Sequence, residues 1–416
     1  MHCHESGLLN HLCVTAEQTL ACHTQVPTTM QFRWEVSLRT LVFVSFILVL
    51  GCDLLAEQLA SHGVPVEAAL LGSARWVGRN VAPSFAPFEP MALRADGPAP
   101  VAANDANAGP TVFHEPWWLD AAAPGGWDGV SLEEGGRTVA WWPYAIARHR
   151  GFLVSRMPPL AHLLGPTFDD ASTSPKHRWL RRMDAVADLA GRLPRVWAFS
   201  QTCQPGITDA IGFQAAGFSC ATQFSAEIGP GDVDGAWKRL RDKTRNVIRR
   251  AQEALVVEDL VDVDEFIGFY RHNLSAAGRT SYYDAARIRA CYDAAARRGQ
   301  AVIRAARCES GALAAAVFFL RDQARLWYFL STRAPDKSGN GGVSLLVWDG
   351  IQAAATSGLT FDLDGIASSG AARFYAGFGA DIRPRYAIHR QHPAYALWTT
   401  AIDAVLGTAR NPFTAP

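Results

Sequence analysis

The stretch ARLWYFLSTRAPDKSGNGGVSLLVWDGIQAAATSGLTFDLDG, residues 324–365, decides how the rest of the chain is read. ARLWYFLST is apolar and aromatic, which predicts a strand. The glycines of DKSGNGG interrupt any regular element. In VSLLVWDGIQAAAT, Val347, Ile351 and Ala354 recur on one side, which predicts a helix that Gly358 ends. LTFDLDG returns to a strand pattern. Gly339, Asn340, Gly341 and Gly342 can turn backbone amides towards an anion where that helix begins, and Lys337 adds a positive charge. A plain flexible turn would use the same residues. Asp362 and Asp364 alternate along the last strand and so face one side, placed to accept a proton, to cap the next loop or to pair with Arg373.

The pattern extends outward in both directions. QAVIRAARC and GALAAAVFFLR flank the turn Glu309-Ser310-Gly311 and complete a three-stranded meander ahead of the helix. ARFYAGFGADIRPRYAIHR gives a short helix, a Gly-Phe corner and a closing strand. The first half repeats this order. DGVSL, RTVAWWPYAIA and GFLVSRMP form a meander. KHRWLRRMDAVADLAGRL places Trp179, Met183, Val186 and Leu189 at helical spacing and stops at Pro194. RVWAFS is a strand, and GFQAAGFSCATQFSAEI repeats the short helix, corner and strand. Phe213, Gly217 and Phe218 echo Phe374, Gly377 and Phe378. The fold class is therefore α+β, with two tandem mixed sheets flanked by helices. The expected domains are 111–230 and 231–395, the second opening on helical sequence from about 234 to 298, with a C-terminal tail at 396–416.

Residues 1–110 read differently. An uncharged apolar run at 40–52 is shorter than the ~20 residues that span a bilayer. Read from Met30, it resembles a lipoprotein signal ending at Cys52; a buried helix or upstream sequence ahead of a start at Met91 fits better. Pro, Ala, Gly and Asn then dominate up to residue 110, as in a linker. The expectation is a poorly structured leader. The eight cysteines include no CxxC, and no metal site is expected.

Basic and acidic residues balance at 39 each, which excludes a generic polyanion binder. Positive charge is nevertheless concentrated in WKRLRDKTRNVIRRA, residues 237–251. Trp237, Leu240, Thr244, Ile248 and Ala251 fall on one helical stripe, with Arg241, Arg245 and Arg249 beside it. Most of these basic side chains suit a solvated face; Arg245 and Arg249 are the candidates for an anionic ligand or for the interdomain cleft. Neither interleaved aromatics nor a basic domain supports DNA binding.

Taken together, VFHEPWWLDA, WKRLRDKTRNVIRRA, GLTFDLDG and FYAGFGADIRPRYAI make residues 111–392 resemble the FemAB-like branch of the GNAT acyltransferase superfamily. The resemblance implies two tandem GNAT-like units. It implies transfer of an acyl group from acyl-coenzyme A to an amine, by direct attack without a covalent enzyme intermediate. An amino sugar or a cell-envelope polysaccharide precursor is the implied acceptor. Lys337, Gly339, Asn340, Gly341 and Gly342 would hold the donor, although Asp336 stands where such proteins usually carry Gln or Arg. Asp362 or Asp364 would be the base, Tyr328 would serve the thioester or the departing thiolate, and Arg245, Arg249 and Tyr375 would contact substrate. Two alternatives stand beside it: a Fem-type peptidyltransferase using aminoacyl-tRNA, and a non-catalytic ligand-binding protein. The segment after the basic run reads as two ordinary helices rather than a long arm, which favours acyl-coenzyme A. The implied location is the cytoplasm, with residues 40–52 able to bring the protein to the inner face of the membrane.

Overall fold

The computed structural model describes residues 109–170, 173–336 and 341–405. The expected leader, the apolar run 40–52 and the linker lie outside these residues. No described helix is long and apolar enough to cross a membrane.

In the first half, α1 (Pro116–Ala122) leads into the meander β1 (Trp127–Glu134), β2 (Arg137–His149) and β3 (Phe152–Arg156). A two-residue strand β4 (Thr167–Phe168) pairs with β2. Then follow α2 (Arg178–Arg192), β5 (Ala198–Thr202), α3 (Ile211–Ala215) and β6 (Ser219–Ile228). The second half opens with α4 (Val233–Arg239), α5 (Asp242–Ala254), β7 (Leu255–Asp259), α6 (Val263–Ala276) and α7 (Ala285–Ala296). It continues with β8 (Ala301–Cys308), β9 (Leu313–Arg321), β10 (Arg325–Arg333), α8 (Gly342–Thr356), β11 (Thr360–Gly365), α9 (Ser369–Gly377), β12 (Asp381–Gln391) and α10 (Pro393–Val405).

The two expected sheets join into one, ordered β1-β2-β3-β5-β12-β6-β11-β10-β9-β8-β7. The halves exchange their last strands: β12 pairs with β5 of the first half, and β6 pairs with β11 of the second. The two exchanged strands pair with each other, and Phe224 lies opposite Pro384. The spacing that carries Phe218 onto Phe378 also carries Phe224 onto Pro384, so an approximate two-fold axis passes between these two residues. The same spacing maps the pair Thr202 and Ala387 onto the pair Asp362 and Glu227. A chain cut at 230 therefore falls in a loop but divides the sheet.

Strand β9 is an unbroken apolar run because both its faces are covered. Val317 and Phe319 pack beneath α8 and α5, while Ala316, Phe318 and Leu320 pack beneath α6, α7 and α1. The expected face of α8, Val347, Ile351 and Ala354, is buried on the sheet. A methyl group at Gly350 would come within 2.7 Å of Phe319 and Phe361, so glycine sets how closely α8 approaches.

Four sequence readings need correction. The basic run is two helices, not one. Leu240 leaves helical geometry at ψ 140°, and the amide of Arg241 donates to the carbonyl of Gly377 at 3.0 Å. The corner Gly377–Gly379 enters this break, where a methyl group at Gly379 would stand 2.7 Å from the Arg239 carbonyl oxygen. On α2, Val186 and Leu189 are buried, but Trp179 is 51% exposed. The extra segment contains an edge strand, β7, whose valines suit a pleated surface better than a helix. The tail begins with helix α10, with Tyr395 buried against Val154 and Ala198.

Candidate functional site

Strands β10 and β11 run parallel for three pairs, Arg325 with Thr360, Leu326 with Phe361 and Trp327 with Asp362. Beyond these they part. β10 bulges between Tyr328 and Leu330 and follows β9, while β11 bulges after Asp362 and follows β6. The crevice between their diverging C-terminal ends is the usual place for a ligand in such a sheet. Helix α8, which connects the two strands, starts at this end. Gly341 caps it in a left-handed conformation at φ 81°.

The equivalent opening in the first half, between β3 and β5, is closed. Residues 157–166 fill it. Leu164 bridges to Cys203, and the Gly165 amide donates to Gln201 Oε1 at 3.1 Å. Trp142 Nε1 donates to the same oxygen at 2.7 Å. The same segment carries His162 across to the second half, where its Nδ1 lies 2.6 Å from Asp364 Oδ2.

Beside the crevice of the second half lies a buried ionic cluster. Arg385 Nη2 donates to both oxygens of Asp362 at 2.7 Å, and its Nη1 donates to Asp364 Oδ1 at 3.1 Å. Arg325 Nη1 donates to Asp362 Oδ2 at 3.1 Å and lies 2.9 Å from Glu227 Oε1. Both guanidinium carbons sit 5.7 Å from the centre of the Trp327 ring. Three carboxylates thus meet two guanidinium groups and one imidazole. Burial alone would raise Asp364, but the charge and contact of His162, with Arg385 behind, hold its carboxyl well below the usual range. Burial raises Glu227, and Asp362 adds to the effect against Arg325 and Arg385. Asp364 has φ 64°, a left-handed conformation unusual for a residue other than glycine. Leu160, two residues before His162, has φ 62°. Strain of this kind, ~1–3 kcal/mol per residue, concentrates at functional sites.

The structure therefore brings together Asp362 and Asp364, on one side of β11 as expected, with Tyr328 and Tyr375 nearby. Asp362 is committed to two arginines. Tyr328 is hydrogen-bonded to Ser331 Oγ at 2.6 Å, and burial pushes its hydroxyl up to about 12. Burial, then Tyr328, Asp364 and Asp362, raise Tyr375 as well. Lys337, Gly339 and Asn340 lie outside the described residues. Gly341 and Gly342 serve close packing. Methyl groups there would meet Ala251 at 3.1 Å and Ala315 at 2.8 Å, so α8 begins directly against α5 and β9. Arg245 spends its guanidinium on Asp242 and on the carbonyls of Trp237 and Lys238. Arg249 lies over the Trp237 ring at 5.6 Å.

Sequence reasoning missed His162, Arg325, Arg385 and Glu227. Arg385 lies in a quoted motif and alternates correctly along β12. His162, alone in an apolar loop, offered no signal.

An acyl-coenzyme A needs an anion-facing helix N-terminus beside an opening between strands, and a protonated group near its thioester. The start of α8, the parting of β10 from β11 and the Tyr328 hydroxyl fit those needs. The GNAT acetyltransferase domain family matches residues 238–374, a span that includes the crevice, α8 and β11. No curated protein matches the chain. Among solved structures, FemX superposes with a TM-score of 0.55 at 11% identity, over 69% of this chain and 95% of that one. Two looser likenesses are L-PGS from Bacillus licheniformis, with a TM-score of 0.42 and 13% identity over 70% and 91%, and the tandem GNAT protein from the clavulanic acid biosynthesis pathway, with 0.41 and 13% over 77% and 94%. Residues 238–374 thus match the GNAT acetyltransferase domain family, and the chain shares its fold with FemX.

Proposed function

We propose that the protein is an N-acyltransferase that takes an acyl group from acyl-coenzyme A and passes it to an amine. The carrying observation is the parting of β10 and β11 beneath the start of α8, while the corresponding opening in the first half is filled by residues 157–166. The reading puts one donor crevice among the described residues. The donor's phosphates would face the first turn of α8, where a helix leaves its amides without helical partners. Coenzyme A supplies the thioester. The Tyr328 hydroxyl, kept protonated at neutral pH, would give its proton to the departing sulfur. An amino sugar or a cell-envelope polysaccharide precursor is the acceptor class that the family resemblance favours.

Calorimetric titration with acetyl-coenzyme A and a long-chain acyl-coenzyme A tests this reading. Ser344 is half-buried in the first turn of α8. Ser344→Glu places a negative charge where it favours the helix but repels phosphate. The expected result is binding by the native protein and a loss of at least about tenfold, ~1.4 kcal/mol, in the variant. Failure of both donors to bind the native protein would overturn the reading.

The exposed basic side chains Arg239, Arg241, Lys243, Arg249 and Arg250 of α4, α5 and the break between them favour a second reading, in which an aminoacyl-tRNA is the donor. That reading requires tRNA binding that weakens steeply with salt. The shortness of α6 and α7 favours acyl-coenzyme A.

A further inference from the structure

We propose that His162 is the general base that deprotonates the acceptor amine, with Asp364 as its positioning residue. The proposal rests on the N-acyltransferase reading above. Asp362 is unsuited to the task because Arg325 and Arg385 occupy it. Asp364 is held between Arg385 on one oxygen and His162 on the other. The imidazole carries a second nitrogen, Nε2, on the side of the ring away from Nδ1. Nδ1 faces Asp364, which leaves Nε2 for a proton. The ring is 15% exposed at its side chain, stacked on Phe113 at 5.5 Å and tilted against Phe329 at 4.5 Å.

Several contacts fix that ring. The Leu160 carbonyl accepts from Trp118 Nε1 at 3.2 Å, and the Leu164 amide donates to the Thr202 carbonyl at 2.8 Å. The loop is therefore pinned on both sides of His162, and two residues of the assembly, Leu160 and Asp364, adopt left-handed backbone conformations. Charged and titratable groups from several elements surround this pair. Asp364 comes from β11, and Arg385 from β12 stands behind it. Tyr283, from the segment before α7, lies close enough to Asp364 to feel its charge, as does Tyr375 from α9. The first half thus contributes a residue to the crevice of the second, which accounts for a first half whose own opening is plugged.

In the reaction, the amine nitrogen forms the new C–N bond and the thioester C–S bond breaks, with the electron pair leaving on sulfur. The amine proton passes to His162 Nε2, and the coenzyme A sulfur takes up a proton from Tyr328 or from solvent.

The test compares the native protein with His162→Asn. The asparagine amide can replace Nδ1 against Asp364 but has no counterpart of Nε2. Acetyl-coenzyme A binding is measured by calorimetry, and thiol release with glucosamine as the probe acceptor is followed against pH. The expected result is unchanged donor affinity and native-like unfolding, with kcat lowered ~10²–10⁴-fold and the acidic limb of the pH–rate profile lost. Retention of kcat within about threefold, or of the acidic limb, would overturn the assignment and leave the acyltransferase reading standing. A native protein that fails to bind the donor would sink that reading and the assignment with it. Long-range 1H–15N spectra of the native protein give a readout without turnover. A proton on Nδ1 and none on Nε2 of the neutral ring is expected. The opposite tautomer would contradict the proposal.

Discussion

Asp364 concentrates the electrostatics of the crevice in one side chain. Its carboxyl is ordinarily half-protonated at 3.8 and is held lower in the folded protein, against burial, by His162 and Arg385. A group whose folded value is depressed adds stability above its unfolded value, and that stability is lost as pH falls through the folded value. Asp364→Asn should therefore destabilise the protein most at about pH 7, and the deficit should shrink towards about pH 3. Urea unfolding of both proteins across that range measures it; a deficit that grows on acidification would show that the ion pairs do not act as described. Glu227 has the opposite sign, since burial raises it and acid relieves it. The role of Asp362 and Asp364 as a facing pair was legible in FDLDG, because alternation along a strand is local. Their partners were not. Arg385 comes from the exchanged strand and His162 from the other half, and no local pattern reports either meeting.

At the scale of elements, the decisive contacts are close approaches made by glycine. Gly350 lets α8 lie on Phe319 and Phe361, and Gly379 lets the corner after α9 enter the break between α4 and α5. Alanine is the better helix former by ~1 kcal/mol, so Gly350→Ala is favourable locally. A methyl group 2.7 Å from two aromatic rings overpacks the sheet, at a cost of typically 1–3 kcal/mol. Overpacking should win. The variant should unfold at lower urea than the native protein, and its donor affinity should fall as α8 is pushed outward. Equal or greater stability would show that α8 has slack on the sheet. Helix α8 itself was plain from its apolar period. The break at Leu240 was not, because local sequence carries the amphipathic stripe straight through it and the interruption arrives from Gly377–Gly379.

Across the whole molecule, the order of elements in each half was legible from periodicity and turn residues, and the repeat of the Gly-Phe corner announced the tandem design. The exchange of β6 and β12 was hidden. Strands of the same composition pair equally well within a half or across halves, and register is set by the completed sheet. That exchange places one polar position, Asp362 opposite Glu227, where its counterpart is Thr202 opposite Ala387. The two halves are thus alike in path and unlike in chemistry: one opening is bordered by buried charge, the other is neutral and plugged. Hydrogen exchange of the native protein with and without acetyl-coenzyme A tests that asymmetry directly. The asymmetry predicts slowed exchange in the first turn of α8 and the last residues of β10, with the ends of β3 and β5 unchanged. Protection at β3 and β5 instead, or none at α8, would contradict it.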